Sequence, residues 1–379
     1  MPWRESDAMN ERARFVGEYL SSLWTVGELC GRFGVSRATG HKWLRRWRQE
    51  KSLAEYSRAP HSCPHKTSAE VEKLVVELRR KRGWGAVTIR QRLTTMHPKL
   101  QLPATSTIAE IIHRHGLVQP RRRRSRPRHP GKPYVEATRP NDVWCTDFKG
   151  QFKTRDGRYC FPLTLSDWKS RYLLGCRGLK TTEQVGVKRV FTEWFREYGL
   201  PLQILSDNGV PFASQGLGGL SRLAVWWIRL GIHPIRIEPG RPAQNGRHER
   251  MHRTLKYDAT KPPAQNLRAQ QCKFDRFLEI YNTERPHRSL DGKTPGSLYV
   301  ASPRPYPERL PPVEYPAHFE VRKVCGNSCI KWHRRFVHVS RVLIGEWIGL
   351  EEVADGIWSV YLGPVLLAKL DEREERIFD

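Results

Sequence analysis

Hydrophobic positions recur every three or four residues through the first third of the chain and every second residue later on. The first periodicity predicts helices and the second strands. A helix is expected over residues 11–20, a short one over 26–33, and a third over 37–49. Gly34-Val35-Ser36 forms the turn between the last two, with Gly34 permitting the bend and Ser36 capping the helix that follows. Val35, Trp43, Leu44 and Trp47 would hold these helices together. Pro60 and Pro64 mark a linker. Val71, Leu74, Val75 and Leu78 then give residues 68–81 a helical stripe, broken by Gly83-Trp84-Gly85. Two further helices follow, over 86–96 and 105–115, ending at Gly116. From residue 140 the reading is strand, strand, strand, helix, strand, helix, strand, helix. The strands cover 143–148, 159–166, 171–177, 203–206 and 233–237. The helices cover 181–198, 217–230 and 245–257, and a long closing helix covers 267–282. Beyond a Pro-rich stretch at 302–316, five short strands are expected over 318–324, 330–339, 347–353, 357–362 and 365–370.

These elements imply several domains: an all-α helix-turn-helix domain at 1–58, a second helical module at 66–117, a linker at 118–138, an α/β core at 139–301 and a small β-domain at 317–379. Charge sharpens that picture. Lys and Arg total 66 against 39 Asp and Glu, a formal net charge of +27. A charge of that size points to a polyanionic partner, with nucleic acid foremost. The basic residues cluster. Arg37, Thr39, His41, Lys42 and Arg45 remain free on the third helix to meet DNA, with its N-terminal members facing base edges. Arg121, Arg122, Arg123 and Arg124 open a Pro-containing run suited to tracking phosphates. The second helical module is read as a further DNA-reading unit, with dimerisation as the competing role. No apolar run is long enough to span a membrane, and residues 1–14 lack the apolar core of a signal peptide. The expected location is cytoplasmic, at a bacterial nucleoid; the arginine run would equally serve as a nuclear signal in a eukaryotic host. The eight cysteines are scattered and read as small hydrophobes rather than a disulfide framework. Cys325, Cys329, His333 and His338 superficially suggest zinc, but Gly326-Asn327-Ser328 reads as a hairpin turn.

Three acids stand out, one of them where an acid is costly. Asp147 lies inside an apolar strand (Val143, Trp144, Cys145, Phe148), Asp207 ends a second one at Ile204-Leu205-Ser206, and Glu249 opens a helix. Unpaired buried carboxylates need a counter-charge, and a divalent cation is a good one. The motifs W-x-x-D at 144–147, S-D-N-G at 206–209, P-x-Q-N-G-x-x-E at 242–249 and YNTERPH at 281–287 together resemble the catalytic core of DDE transposases and retroviral-type integrases, above all insertion-sequence transposases.

That resemblance implies a ribonuclease H-like core and an SH3-like C-terminal barrel. It also implies two magnesium ions, with manganese able to substitute, held by Asp147, Asp207 and Glu249. The activity it implies is binding of a mobile element's terminal inverted repeats, hydrolysis that frees a 3′-hydroxyl, and strand transfer into target DNA by a dimer or tetramer. A catalytically silent DNA-binding regulator and a ribonuclease H-like nuclease are the alternatives. Fifty-nine residues separate Asp147 from Asp207 and forty-one separate Asp207 from Glu249, so Glu238, thirty residues beyond Asp207, competes as third acid. On the Glu249 helix His252, Arg253 and Lys256 share a face and are expected to hold DNA. Asn208 and Asn245 are expected to position it.

Overall fold

The computed structural model describes residues 7–56, 66–118, 135–214, 216–238, 244 and 246–378. Two compact units divide at residue 67. In the first, α1 (Ala8–Leu20), α2 (Val26–Arg32) and α3 (Arg37–Glu50) close around Phe15, Leu29, Cys30, Trp43 and Leu44. Caps set their ends. Thr25 and Glu28 form a reciprocal capping box at α2, and the Ser36 hydroxyl accepts from the Thr39 amide at α3. Gly40 lets α3 approach α2, since a Cβ there would sit 2.5 Å from the Cys30 sulfur. Val35 does not join this core. Its position in the turn leaves it exposed, while Trp43 and Leu44 are buried.

The second unit begins with α4 (Ala69–Arg82), α5 (Ala86–Met96) and α6 (Thr105–Arg114), packed around Val75, Ile89, Leu93 and Ile108. Ile280 of the α/β core packs against this cluster, and Arg82 reaches Glu284 at 2.6 Å. The second helical module therefore shares a unit with the α/β core.

That core is a six-stranded mixed sheet. Its strands are β1 (Val143–Phe148), β2 (Phe152–Lys153), β3 (Tyr159–Asp167), β4 (Leu173–Leu179), β5 (Gln203–Ser206) and β6 (His233–Arg236). The path runs β2-β3-β1-β5-β6, with β4 also paired to β3. β2 is an addition to the strands expected from the sequence. β1 is antiparallel to β3 and parallel to β5, and β5 is parallel to β6. Between β4 and β5 runs α7 (Gln184–Tyr198), which buries Val187, Phe191, Trp194 and Phe195. After β5 comes α8 (Arg222–Arg229), shorter than expected because residues 217–219 form a separate single turn. Gly175 admits the close packing: a Cβ there would lie 2.1 Å from the Trp194 ring. α9 (Gly246–Ala259) and α10 (Leu267–Glu279) cover the region around Cys160, Leu173 and Cys176. This is the ribonuclease H-like arrangement of strands and helices.

The C-terminal region is a five-stranded antiparallel sheet of β7 (Glu320–Lys323), β10 (Trp347–Ala354), β11 (Ile357–Leu362), β12 (Val365–Asp371) and β13 (Arg376–Phe378), ordered β13-β12-β11-β10-β7. β8 (Cys329–Trp332) and β9 (Arg335–His338) form a separate hairpin. The expected single strand over 330–339 is thus two strands, folded back at His333, which adopts φ 49°. Among the described residues the ladder stays open, with β7 and β13 as its edges, so pairing does not close the expected barrel. Cys325, Cys329, His333 and His338 make ordinary local contacts. The His333 ring meets Glu372 at 2.8 Å and the Cys329 thiol meets the Asn327 carbonyl.

Candidate active site

Register places the first two acids together. Cys145 of β1 is level with Leu205 of parallel β5. Asp147 and Asp207 each lie two residues further on, at the carboxyl ends of neighbouring strands, where α/β sheets bind ligands. Glu249 enters from the first turn of α9. The three acids lie close enough to influence one another's charge. Burial and the charges of Asp207 and then Glu249 push the Asp147 carboxyl up to about 7, against a backbone hydrogen bond from Phe148 and the charge of Lys149. Burial also raises Asp207, and backbone hydrogen bonds, Gly209's first, pull it back. Oδ1 of Asp207 is buried with no hydrogen-bond partner. A Cβ on Gly209 would stand 3.0 Å from Oδ2 of Asp207, so a side chain there would crowd the carboxylate.

Carboxylates gathered against their own repulsion, one oxygen left bare, suit a hard divalent ion. Among the described residues no three His, Cys, Asp or Glu side chains already surround a single point at ligating distance.

Beneath the acids lies a polar buttress that sequence reasoning missed. Thr164 stands directly across from Asp147 on β3, and its hydroxyl donates to the Asp147 carbonyl at 3.0 Å. That oxygen also lies 2.7 Å from Nε2 of both His248 and His252. A hydroxyl has one hydrogen to give, so both Nε2 atoms donate to it. Nδ1 of His248 then accepts from Ser166 at 3.0 Å. Burial holds His248 neutral, down to about 3, and also holds His252 far below the usual histidine range. The signal available in the sequence was the i, i+4 spacing of the two histidines, which puts them on one helix face.

His252 is therefore not on the exposed basic face where the sequence placed it. It is buried, with Nδ1 3.7 Å from Oδ2 of Asp147. Arg253 and Lys256 are exposed. Lys149, just past β1, is near enough to Lys256 for the two charges to repel and to Asp147 for attraction; burial is the largest cause of its lowered pKa. Asn208 donates to the Ile237 carbonyl at 2.8 Å, tying the Asp207 loop to the end of β6. The Glu238 amide donates to the Gln244 side chain at 2.7 Å. On α3, Arg37, His41, Lys42 and Arg45 are exposed, while the Thr39 hydroxyl lies 2.9 Å from that of Ser36. Asn245 and Arg121 to Arg124 lie outside the described residues.

The YNTERPH stretch buttresses the core. Asn282 holds both the amide and the carbonyl of Leu173 at 2.9 Å, Arg285 approaches Asp258 at 3.8 Å, and the His287 ring meets Tyr281 edge-on. Asp142 accepts from the Thr138 amide and hydroxyl and the Arg139 amide. Asp167 accepts from the Asn141 amide and from the amide and hydroxyl of Ser170. Both are structural acids.

Residues 137–242 and 230–295 each match the family described as Integrase core domain, and residues 10–54 match a Homeodomain-like domain. The Gag-Pol polyprotein of baboon endogenous virus (strain M7) is 31% identical over 160 residues, 42% of this chain and 9% of the polyprotein. The Pol polyprotein of feline endogenous virus ECE1 is 33% identical over 127 residues, 34% of this chain and 12% of the polyprotein. The chain thus spans about a tenth of the length of these curated relatives. Among solved structures, the HTLV-2 integrase catalytic core domain in complex with magnesium aligns with 43% of this chain and 99% of its own, at 19% identity and a TM-score of 0.35. Integrase core domains in one chain with a homeodomain-like helix-turn-helix support a DDE transposase/integrase-like protein.

Proposed function

We propose that the chain is a DNA transposase that binds the ends of a mobile element, cleaves them by metal-dependent hydrolysis and joins the freed 3′-hydroxyl to target DNA. The observation that carries this reading is the convergence of Asp147, Asp207 and Glu249, with a bare buried oxygen on Asp207. Asp147, Asp207 and Glu249 would hold the divalent metal. Bound there, magnesium or manganese supplies Lewis-acid activation of the attacking oxygen and stabilisation of the leaving one. The chain's own residues do the rest. Thr164 and the two neutral histidines fix the backbone of Asp147 from below. Asn208 holds the second acid's loop, and Arg253 and Lys256 offer charge to the DNA backbone beside the acids. His252, as a neutral group under Asp147, supports the site rather than contacting DNA.

The helix-turn-helix supports reading of the element's terminal repeats through Arg37, His41, Lys42 and Arg45, with Thr39 closing the helix start. Arg121 to Arg124 would track phosphates, and Asn245 would position the substrate near the third acid. The C-terminal sheet and hairpin, read as an SH3-like barrel, would bind DNA without sequence preference. Assembly as a dimer or tetramer on paired ends fits this role, in a bacterial nucleoid.

The test is incubation of the full chain with duplexes carrying the element end and with magnesium. The reading expects a nicked end and a joined product, both lost in Asp147→Asn. Cleavage without joining would make the protein a nuclease; specific binding without either would make it a regulator.

A further inference from the structure

Residues on an α-helix advance about 100° each, so Arg247 and Met251 leave α9 on the face opposite Glu249, Arg253 and Lys256. That second face borders a small pocket whose lining includes Asp167, Trp168, Arg171, Arg247, His248 and Tyr281. Its floor is rigid. The Trp168 amide donates to the Val143 carbonyl, the Arg171 amide closes the turn onto the Asp167 carbonyl, and the Asp167 carboxylate clamps the turn through Ser170. Arg171 is held at φ 64°, a left-handed conformation uncommon for any residue but glycine. The Arg247 guanidinium lies 4.3 Å from the Trp168 ring centroid and that of Arg171 lies 5.9 Å from it.

Two guanidinium groups thus share one indole. Tyr281 beside Arg171 is no counter-charge, since burial pushes its hydroxyl up to about 12. The Asp167 carboxylate is committed to its three donors. Among the described residues no carboxylate forms an ion pair with Arg171 or Arg247. Burial and then Arg247 lower Arg171 to about 10. Bringing two partly buried cations together unneutralised is unfavourable, and their planar forks match a phosphate.

We propose that Arg171 and Arg247 form a notch for a single backbone phosphate of duplex DNA, on the opposite side of α9 from Arg253 and Lys256. The proposal rests on the reading of this chain as a DNA-acting protein, but not on its being catalytically active. It gives α9 a contact on each side of Glu249, which would pin the duplex across the acids.

The experiment measures affinity of the full chain for a scrambled-sequence duplex over a range of salt. Wild type, Arg171→Gln, Arg247→Gln and the double variant are compared, with melting temperature taken for each. If one phosphate is gripped by both residues, each single variant flattens the logarithmic salt slope by roughly 0.9 and the double variant flattens it no further. Where a Gln variant fails to fold, Arg171→Lys and Arg247→Lys keep the charge. They are expected to retain the slope while losing about tenfold in affinity with the bidentate fork, an effect at the low end of a charge-assisted hydrogen bond. Lowered melting temperature with an unchanged slope would reduce both arginines to braces for Trp168 and overturn the proposal. So would Lys variants of wild-type affinity. Stabilisation of wild type, but not of Arg171→Gln, by inorganic phosphate with an unchanged DNA slope would assign the notch to a free anion instead. Absence of cleavage by wild type itself would sink the catalytic reading while leaving the notch intact.

Discussion

Four aspartates sit at strand ends of one sheet, and they form two unlike pairs. Asp142 and Asp167 each accept three hydrogen bonds from the chain around them. Asp147 and Asp207 sit side by side on parallel strands; one is pushed up to about 7 by burial and like charge, and the other leaves an oxygen bare. Burial acts on both pairs, so depth in the protein does not separate them. The supply of donors does. Where the chain satisfies a carboxylate, the acid builds a turn; where it withholds donors and adds a second acid, the carboxylate waits for a ligand. The pairs should therefore answer mutation in opposite ways, activity in one and stability in the other.

The largest effect is expected at the unsatisfied pair. Asp147→Asn and Asp207→Asn each remove ligand charge and should reduce magnesium-dependent cleavage and joining by about a thousandfold or more, an effect on the order of 4 kcal/mol in the barrier. Neither should lower the melting temperature of the metal-free protein, because each relieves repulsion. Asp167→Asn should do the reverse, since an amide nitrogen would face a donor in a buried turn at a cost of about 1–3 kcal/mol. Thermal melts and cleavage assays on the three proteins decide it. Equal destabilisation by Asp147→Asn would return Asp147 to the structural class.

The third acid sharpens the comparison. Glu249 raises Asp147 by its charge from the start of α9, while the Glu238 amide is tied to Gln244. Glu249→Gln should match the aspartate variants in activity with DNA binding retained, and Glu238→Gln should keep most activity. An active Glu249→Gln beside an inactive, folded Glu238→Gln would exchange the two.

Acidity tests the same pair more gently. The folded-state value of Asp147 is raised above that of the unfolded chain, so the fold holds this proton more tightly. Its contribution to stability is full below about 4 and is lost as pH rises to about 7. Metal-free wild type should thus lose stability relative to Asp147→Asn across that window. Added magnesium, which favours the ionised acid, should shrink the difference. Parallel stability-against-pH curves for the two proteins would show that Asp147 ionises normally and needs no counter-charge.

Much of this was legible in the chain. Alternating apolar runs ending in Asp147 and Asp207, and the Gly-containing turn before Ser36, located the site acids and the helix-turn-helix. What escaped depends on register. Thr164 reads as one more strand residue until antiparallel pairing sets it opposite Asp147, and only then is His252 seen to be buried rather than presented to DNA. β2 is two residues long, below what alternation can reveal. The fold-back at His333 has no glycine or proline to announce it, so two strands read as one. Asp167 holds a turn, and its burial and its clamp on Asn141 depend on contacts 26 residues apart.

The smallest effect is expected at Asp142. Burial alone would raise its carboxyl, but the hydrogen bonds of Arg139 and Thr138 outweigh it and hold the value below the usual range. An aspartate depressed in this way contributes stability above the unfolded-state value and loses it as pH falls, opposite in sign to Asp147. The group lies near the surface, and its role resembles a helix cap, where loss of such an acceptor costs about 1 kcal/mol. Asp142→Ala should therefore lower stability by that order at neutral pH and by less below pH 4, with cleavage unchanged under saturating magnesium. Urea melts at pH 7 and pH 3.5 measure the difference. A deficit that persists undiminished at the lower pH would mean the side chain serves by packing, and the division of the four aspartates by donor supply would then hold for Asp167 but not for its partner.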